Sequence, residues 1–175
     1  MSEREDGGAA RSSSEGAPPS KPVSASRVLF GQLMEPQHAN VYGTVHGGEV
    51  MRMVDTAAAV AAIKHAGRIC VTASVDRMDF IAPIRVGDFV HVAASVNYVH
   101  RTSIEAGVRV DAEELTTGTR RHVASAYLIL VALDEKGQRV PVPLLLAETD
   151  EERRRMAEGE ERYRLRQQLR ERPGR

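Results

Sequence analysis

The stretch GEVMRMVDTAAAVAAIKH, residues 48–65, decides the fold. Apolar side chains occur on nearly every side of a helix built from it, so we expect one long helix that is buried on most sides. Gly67 follows as a C-terminal cap, and Lys64 and His65 stand in the last turn, where positive charge interacts favourably with the helix dipole. A buried helix so early in the chain requires a sheet around it.

The residues on either side of this helix carry strand patterns. After the helix the apolar period changes from helical to two, beginning with Ile69, Val71, Ala73 and Val75, which alternate with polar residues. Strands are predicted over residues 27–34, 69–76, 90–98, 103–112 and 120–133. One strand, one helix and four mostly antiparallel strands make an α+β layout, in which a curved sheet wraps around one central helix.

The two ends of the chain differ from this body in composition. Residues 1–24 are mostly Ser, Gly, Ala, Pro and charged residues without periodicity, so we expect a disordered tail. Residues 25–147 form the predicted domain. Residues 148–175 are dense in Glu and Arg, with opposite charges four residues apart, which predicts a solvated helix and tail with an interruption at Gly159.

Charge and cysteine content exclude several classes of protein. The 175 residues include 24 basic and 24 acidic side chains, so no overall field attracts nucleic acid or an anionic membrane, and we expect neither as a partner. The single cysteine, Cys70, lies in an apolar run and is predicted to be buried. Without a long uncharged apolar stretch or the order of a signal peptide, the chain is predicted to be cytoplasmic.

Asp55 departs from the apolar pattern of the predicted helix. Its helical neighbours, including Met51, Ala59 and Ala62, are apolar, so a carboxylate at this position is costly unless it is used. A poorly solvated carboxylate suits proton abstraction from water. The alternative is a salt bridge to Arg52 or to a partner chain, and both interpretations stay open.

The loop NVYGTVHGG, residues 40–48, runs directly into the N-terminus of the same helix. Free N–H groups and the positive end of the helix dipole converge there, which makes the N–H groups of Gly47 and Gly48 candidates for an oxyanion hole. A glycine pair also fits a simple N-terminal turn, and Asn40 also fits a turn former. His38 and His46 lack a complete set of metal ligands around them, so we expect no metal.

The segment HRTS, residues 100–103, lies at a predicted turn between two strong strands. An arginine and two hydroxyl groups at the end of a sheet, Arg101, Thr102 and Ser103, suit the binding of phosphate. An ordinary polar turn is the alternative interpretation of this segment.

Three segments carry a resemblance to a known family: HANVYGTVHGGEVMRMVD (residues 38–55), VDRMDFIAPIRVGD (residues 75–88) and HRTSIE (residues 100–105). Together they resemble the acyl-CoA thioesterases of the hotdog superfamily, among them bacterial single-hotdog and vertebrate tandem-hotdog acyl-CoA hydrolases. The likeness extends over about residues 30–133. It implies a hotdog fold, an antiparallel sheet wrapped around one long central helix, and hydrolysis of fatty acyl-CoA to fatty acid and CoA.

The resemblance also implies a catalytic pair that falls on Asn40 and Asp55. Asp55 would act as general base on water, and Asn40 of the neighbouring subunit would position the water or the thioester. The N–H of Gly47 or Gly48 would hold the carbonyl oxygen, and CoA would lie with its nucleotide end near Arg101, Thr102 and Ser103. A homodimer, assembled into a trimer of dimers, is implied, with no cofactor beyond the coenzyme A of substrate and product.

Two other functions on the same fold stay open. A hotdog dehydratase would be expected to place a catalytic His ahead of the helix acid, a pattern that residues 38–41 do not match. A non-enzymatic acyl-CoA-binding hotdog protein is the second alternative, and a salt bridge that held Asp55 away from any pocket would favour it. The acyl chain length is left open by the sequence.

Overall fold

The computed structural model describes residues 19–171, with side chains as far as residue 170. Its central element is helix α1, Gly47–Ala66, which is one residue longer at each end than predicted. Gly67 ends the helix in a left-handed conformation with a φ of 66°, and its N–H donates to the carbonyl oxygen of Ile63 at 2.8 Å. Glycine adopts this conformation without a Cβ clash, so the predicted C-terminal cap is confirmed.

Within residues 19–171, seven strands lie around α1 in two sheets. They are β1 (Ser20–Pro22), β2 (Val28–Leu33), β3 (Ile69–Phe80), β4 (Asp88–His100), β5 (Ser103–Glu114), β6 (Thr119–Leu133) and β7 (Leu144–Leu146). The main sheet has the order β2-β4-β5-β6-β3 with every neighbouring pair antiparallel, and β1 and β7 form a separate parallel pair. The predicted α+β hotdog arrangement, an antiparallel sheet wrapped around one long central helix, is confirmed.

The buried face of α1 consists largely of small side chains. Ala57, Ala58, Ala61 and Ala62 are fully buried, and they let the helix approach the inner side chains of β4, β5 and β6 closely. Cys70 is buried as predicted, and burial raises the pKa of its thiol to about 11. The thiol is therefore protonated near neutral pH, as expected of a structural cysteine.

One face of α1 is open in the single chain, which corrects the prediction of a helix buried on most sides. On this face Met51, Val60 and Ile63 are between 40 and 47% exposed. On the edge strand β3, Ile69 and Val71 are also exposed, at 65 and 44%. An apolar helix face together with an apolar edge strand is the kind of surface that a second chain covers.

Strand β3 departs from the strict alternation that its sequence predicts. Thr72 pairs with Leu130 and Val75 pairs with Leu128, and both leucines are buried, so Thr72 and Val75 lie on the helix side of the sheet. A register shift between Thr72 and Ser74 inserts one residue and changes the parity of the strand. The prediction that set Thr72 opposite the apolar face is therefore wrong.

Helix α2, Asp150–Glu171, packs beside β4 on the face of the sheet opposite α1. Glu105 is buried beneath it and accepts hydrogen bonds from Arg162 at 2.6 Å and Arg166 at 3.2 Å. The helix continues through Gly159, so the predicted interruption is wrong. A Cβ at Gly159 would lie 2.7 Å from the Cβ of Tyr98, and glycine therefore serves close packing here.

Part of the segment predicted to be disordered is ordered. Residues 1–18 lie outside the described structure, but Ser20–Pro22 form β1 and pair with β7, and the next residue, Val23, is 5% exposed. Backbone pairing and burial of Val23 stabilise this segment, so the prediction is wrong for residues 19–24. Between residues 19 and 171 no helix has the length and apolar character needed to span a membrane.

Candidate functional site

The carboxylate of Asp55 lies on the open face of α1, where it is oriented by a side chain of β3. Thr72 Oγ1 donates a hydrogen bond to Asp55 Oδ1 at 2.6 Å. Asp55 is exposed in the single chain, so the expectation that its helical neighbours alone would bury it is wrong. The alternative pairing with Arg52 is also wrong, because Arg52 bonds Glu49 at 3.1 Å. The carboxylate is thus oriented, accessible and free of a cation within residues 19–170.

Asn40 lies in the loop that leads to α1 and shapes that loop. Its Oδ1 accepts hydrogen bonds from the N–H of Tyr42 at 2.8 Å and of Thr44 at 3.3 Å, and its Nδ2 donates to Thr44 Oγ1 at 3.0 Å. The turn-forming interpretation of Asn40 is therefore correct for the single chain. No hydrogen bond joins Asn40 to Asp55 within residues 19–170 of one chain.

The first turn of α1 offers one free N–H group. His46 caps the helix, and its Nδ1 accepts the hydrogen bond of the Gly48 N–H at 2.9 Å. The Gly47 N–H has no acceptor among the residues that the structure describes. Of the two predicted oxyanion donors, Gly47 is therefore available in this conformation and Gly48 is occupied.

An apolar cleft of about 330 Å³ begins beside Gly47. One wall is formed by residues 80–84, the last residue of β3 and the four that follow it, and the other by Val45 and Val50. We call it the acyl-side cleft. Every side chain that lines it is apolar, so it suits a hydrocarbon group next to the Gly47 N–H.

The predicted phosphate-binding turn borders a second cleft of about 430 Å³, at the end of the sheet beside α2. Arg101, in a left-handed conformation with a φ of 47°, connects β4 to β5, and its side chain makes no salt bridge among residues 19–170. Three more arginines, which the sequence of the turn did not predict, also line this cleft: Arg139, Arg166 and Arg170. We call it the arginine cleft.

Sequence reasoning missed Thr72 and the acyl-side cleft. Thr72 was missed because the alternation assigned Ile69 and Val71 to the helix side of the sheet, whereas both are exposed and Thr72 lies on that side with Cys70. The cleft involves the segment DFIAPI, residues 79–84, whose apolar character is visible in the sequence but whose position beside α1 is not. Within residues 19–171 no three His, Cys, Asp or Glu side chains are grouped so that they could hold a metal ion.

The fold and the site define a thioesterase of the hotdog class, and comparison with known proteins agrees. The thioesterase superfamily profile matches residues 42–119. The uncharacterized acyl-CoA thioester hydrolase YkhA of Bacillus subtilis is 41% identical over 133 residues, which cover 76% of this chain and 74% of that protein. The human cytosolic acyl coenzyme A thioester hydrolase is 34% identical over 81% of this chain, which spans 38% of the human protein.

Solved structures of acyl-CoA thioesterases and hydrolases are also similar to this chain. A hexameric acyl-CoA thioesterase, solved without ligand, superposes with a TM-score of 0.84 at 37% identity, covering 87% of this chain and 98% of that one. The acyl-CoA hydrolase of Staphylococcus aureus, solved with butyryl-CoA, CoA and CoA disulfide, gives a TM-score of 0.81 at 34% identity, covering 87% of this chain and 93% of that one. Variants of the same enzyme with an Asn, an Asp or a Thr changed to Ala have also been solved. The chain belongs to the thioesterase superfamily, and within it to the acyl-CoA thioester hydrolases.

Proposed function

We propose that this protein hydrolyses fatty acyl-CoA to a free fatty acid and CoA, with Asp55 as the general base and Asn40 supplied by the neighbouring subunit. The observation that carries the proposal is the Asp55 carboxylate, which is oriented by Thr72 at 2.6 Å and faces the open side of α1. An oriented carboxylate with a free lone pair can accept a proton from an attacking water.

The reaction needs three groups around the thioester carbonyl. Water adds to the carbonyl carbon and gives its proton to Asp55, while the carbonyl oxygen gains negative charge that the Gly47 N–H of the neighbouring subunit stabilises, since Gly47 and Asp55 of one chain are about 12 Å apart along α1. The Asn40 amide positions the water or the thioester. The C–S bond then breaks, CoA leaves as the thiolate and takes up the proton that Asp55 holds, and the acyl group leaves as the fatty acid.

The open surfaces of the single chain support a dimer with shared sites. The exposed face of α1 carries Asp55 among apolar side chains, and the outer edge of β3, on the side away from β6, has no partner strand within residues 19–171. A second copy that covered both would bury apolar area and shield Asp55 from bulk water, which the single chain does not do. Each dimer would then contain two equivalent sites, and three dimers would make a hexamer; two relatives of known structure are hexameric.

The spacing of the altered residues in the Staphylococcus aureus enzyme supports the choice of residues. In that enzyme the Asn, Asp and Thr that were changed to Ala are separated by fifteen and seventeen residues. The same intervals separate Asn40, Asp55 and Thr72 here. The match between the two sets of intervals supports Thr72 as a third member of the site.

The arginine cleft suits the nucleotide end of CoA, with Arg101, Thr102 and Ser103 near its phosphates. Arg166 is paired with Asp76 and Glu105, but the guanidinium groups of Arg101, Arg139 and Arg170 make no salt bridge among residues 19–170. Three such groups around one cleft favour a ligand with several negative charges. CoA enters as part of the substrate and leaves as product, and the mechanism uses no other cofactor or metal.

Subunit mixing tests the shared site directly. We expect Asp55→Asn and Asn40→Ala each to lower kcat on a panel of acyl-CoAs by roughly a hundredfold or more, with Asp111→Asn, on the opposite face of the sheet, unchanged. Dissociating and reassociating the two inactive variants together should then restore activity, because half of the sites in a mixed dimer contain both wild-type residues. Mixed dimers that remain inactive would refute the shared site, and a folded wild-type oligomer that releases no thiol from any acyl-CoA would refute the proposed function.

A further inference from the structure

The acyl-side cleft lies where the hydrocarbon part of a bound thioester would have to go. Gly47 lines the cleft, and the ring of Phe80 lies 3.6 Å from the position that a Cβ on Gly47 would occupy. A carbonyl oxygen bonded to this N–H places the attached acyl carbon chain next to the Phe80 ring. The chain can then continue between Val50 and residues 80–84.

The residues that line the cleft differ in how firmly they are held. Val45, Val50 and Ile84 are between 2 and 7% exposed and belong to the core, so their positions are set by the fold. Phe80 is 54% exposed, and Ala82 is partly buried at the edge of the core. Substitutions at Phe80 and Ala82 can therefore change the volume of the cleft with less disturbance of the core than substitutions at the other three.

We infer that Phe80 and Ala82 determine which acyl groups this enzyme accepts, because they set the free volume of the acyl-side cleft. The inference rests on the proposed function and extends it to the chemical class of the acyl group. Ala82 leaves room that a larger side chain would fill, and the Phe80 ring narrows the space beside the reacting carbonyl. Filling the cleft at Ala82 shortens the acyl chain that fits, and removing the Phe80 ring admits bulkier or longer chains.

The lining also predicts the polarity of the acyl group. No charged or polar side chain contributes to the cleft, so a terminal carboxylate that entered it would lose its hydration without a partner. The preferred substrates are therefore acyl groups with an apolar tail. Hexanoyl-CoA and adipoyl-CoA are a matched pair for this point, since both have six-carbon acyl groups and only adipoyl ends in a carboxylate.

The experiment compares kcat/KM ratios for acetyl-, hexanoyl-, adipoyl- and decanoyl-CoA in the wild type, Ala82→Leu and Phe80→Ala. Leu144→Ala is the control, because Leu144 is also 54% exposed but lies on β7, outside the cleft. We expect Ala82→Leu to lower the decanoyl to acetyl ratio at least about tenfold, Phe80→Ala to raise it, and the control to leave it unchanged. The wild type should prefer hexanoyl over adipoyl at least about tenfold.

Activity and acyl selection are read out separately. Affinities for S-decyl-CoA and S-ethyl-CoA, which are thioethers and cannot be hydrolysed, should change in the same directions as the kcat/KM ratios. If the wild type hydrolyses no acyl-CoA, the proposed function fails, and the thioether affinities still decide the role of the cleft. Equal losses for every chain length in both cleft variants, or equal use of hexanoyl and adipoyl, would overturn the inference.

Discussion

Thr72 Oγ1 donates a 2.6 Å hydrogen bond to Asp55 Oδ1, so the edge strand β3 orients the carboxylate of the central helix. Replacing the hydroxyl with a methyl group of similar shape removes this bond while keeping the packing. We expect Thr72→Val to lower kcat roughly ten- to a hundredfold, the effect of losing a hydrogen bond to a charged group, and Thr72→Ser to retain most activity. Steady-state kinetics with matched circular dichroism checks this, and a Thr72→Val variant with wild-type kcat would contradict it.

Arg101 is the arginine of the β4–β5 turn at the arginine cleft. If its guanidinium binds a CoA phosphate, its loss weakens ground-state and transition-state binding alike. We expect Arg101→Ala to raise KM roughly three- to tenfold with little change in kcat, and the difference from wild type to shrink at high salt. Arg109→Ala, an exposed arginine outside the cleft, is the control. A fall in kcat at unchanged KM would contradict a role in CoA binding.

Gly159 lets α2 approach the sheet. Alanine favours a helix interior over glycine by about 1 kcal/mol, but a Cβ here would lie 2.7 Å from the Cβ of Tyr98 and 3.1 Å from Oε1 of Glu105. The destabilisation from this close contact should exceed the gain in helix propensity. We therefore expect Gly159→Ala to lower the free energy of unfolding by about 1–3 kcal/mol. Urea unfolding at fixed protein concentration measures this.

Ala157, two residues earlier on the same helix, is exposed and provides the opposite case. Ala157→Gly should cost about 1 kcal/mol through helix propensity alone. A Gly159→Ala variant more stable than wild type would mean that α2 is not held closely against Tyr98.

His65 gives the fold a dependence on pH. It is fully buried, its Nε2 donates to the Pro143 carbonyl oxygen at 2.9 Å, and its buried Nδ1 has no partner among residues 19–170. Burial lowers the pKa of His65 below its ordinary value of 6.5, with the backbone bond to Pro143 opposing the shift. The unfolded chain therefore binds a proton at a higher pH than the folded protein does.

Because the unfolded chain binds this proton more readily, acid lowers the free energy of unfolding. The stabilisation from neutral His65 is present above pH 6.5 and is lost as the pH falls toward the folded-state pKa. We expect the free energy of unfolding to fall by up to about 1.4 kcal/mol per pH unit in this range, and His65→Gln, which cannot titrate, to show a smaller slope. Urea titrations from pH 7.5 to 5 measure both slopes, and equal slopes would exclude His65 as the cause.

The sequence was informative where the signal is local. The apolar composition of residues 48–65 and the cap at Gly67 predicted α1 to within one residue at each end. The strands followed from period-two alternation, and Asp55 stood out because a carboxylate interrupts an apolar helix. Burial of Cys70 followed in the same way from its apolar neighbours.

Predictions from local sequence patterns were wrong where the environment of a residue depends on segments far away in the chain. In β3 the apolar Ile69 and Val71 lie on the exposed face, so Thr72 shares the helix side of the sheet with Cys70, and the register shift after Thr72 brings Val75 to that side as well. Asp55 was expected to be buried by its own helix, yet the sheet covers only the other side of α1. Gly159 was predicted to interrupt α2, although the facing residue, Tyr98, makes glycine necessary there.

The sequence by itself determined the elements of this protein, the candidate acid on its helix and the glycines at the helix start, because hydrophobic periodicity and backbone preferences act over a few residues. Only the tertiary structure decided that Thr72 meets Asp55, that residues 80–84 form a cleft with Val50, and that Arg139 and Arg166 join Arg101. These contacts join residues far apart in the chain, and strand register and the packing of the sheet around α1 select them.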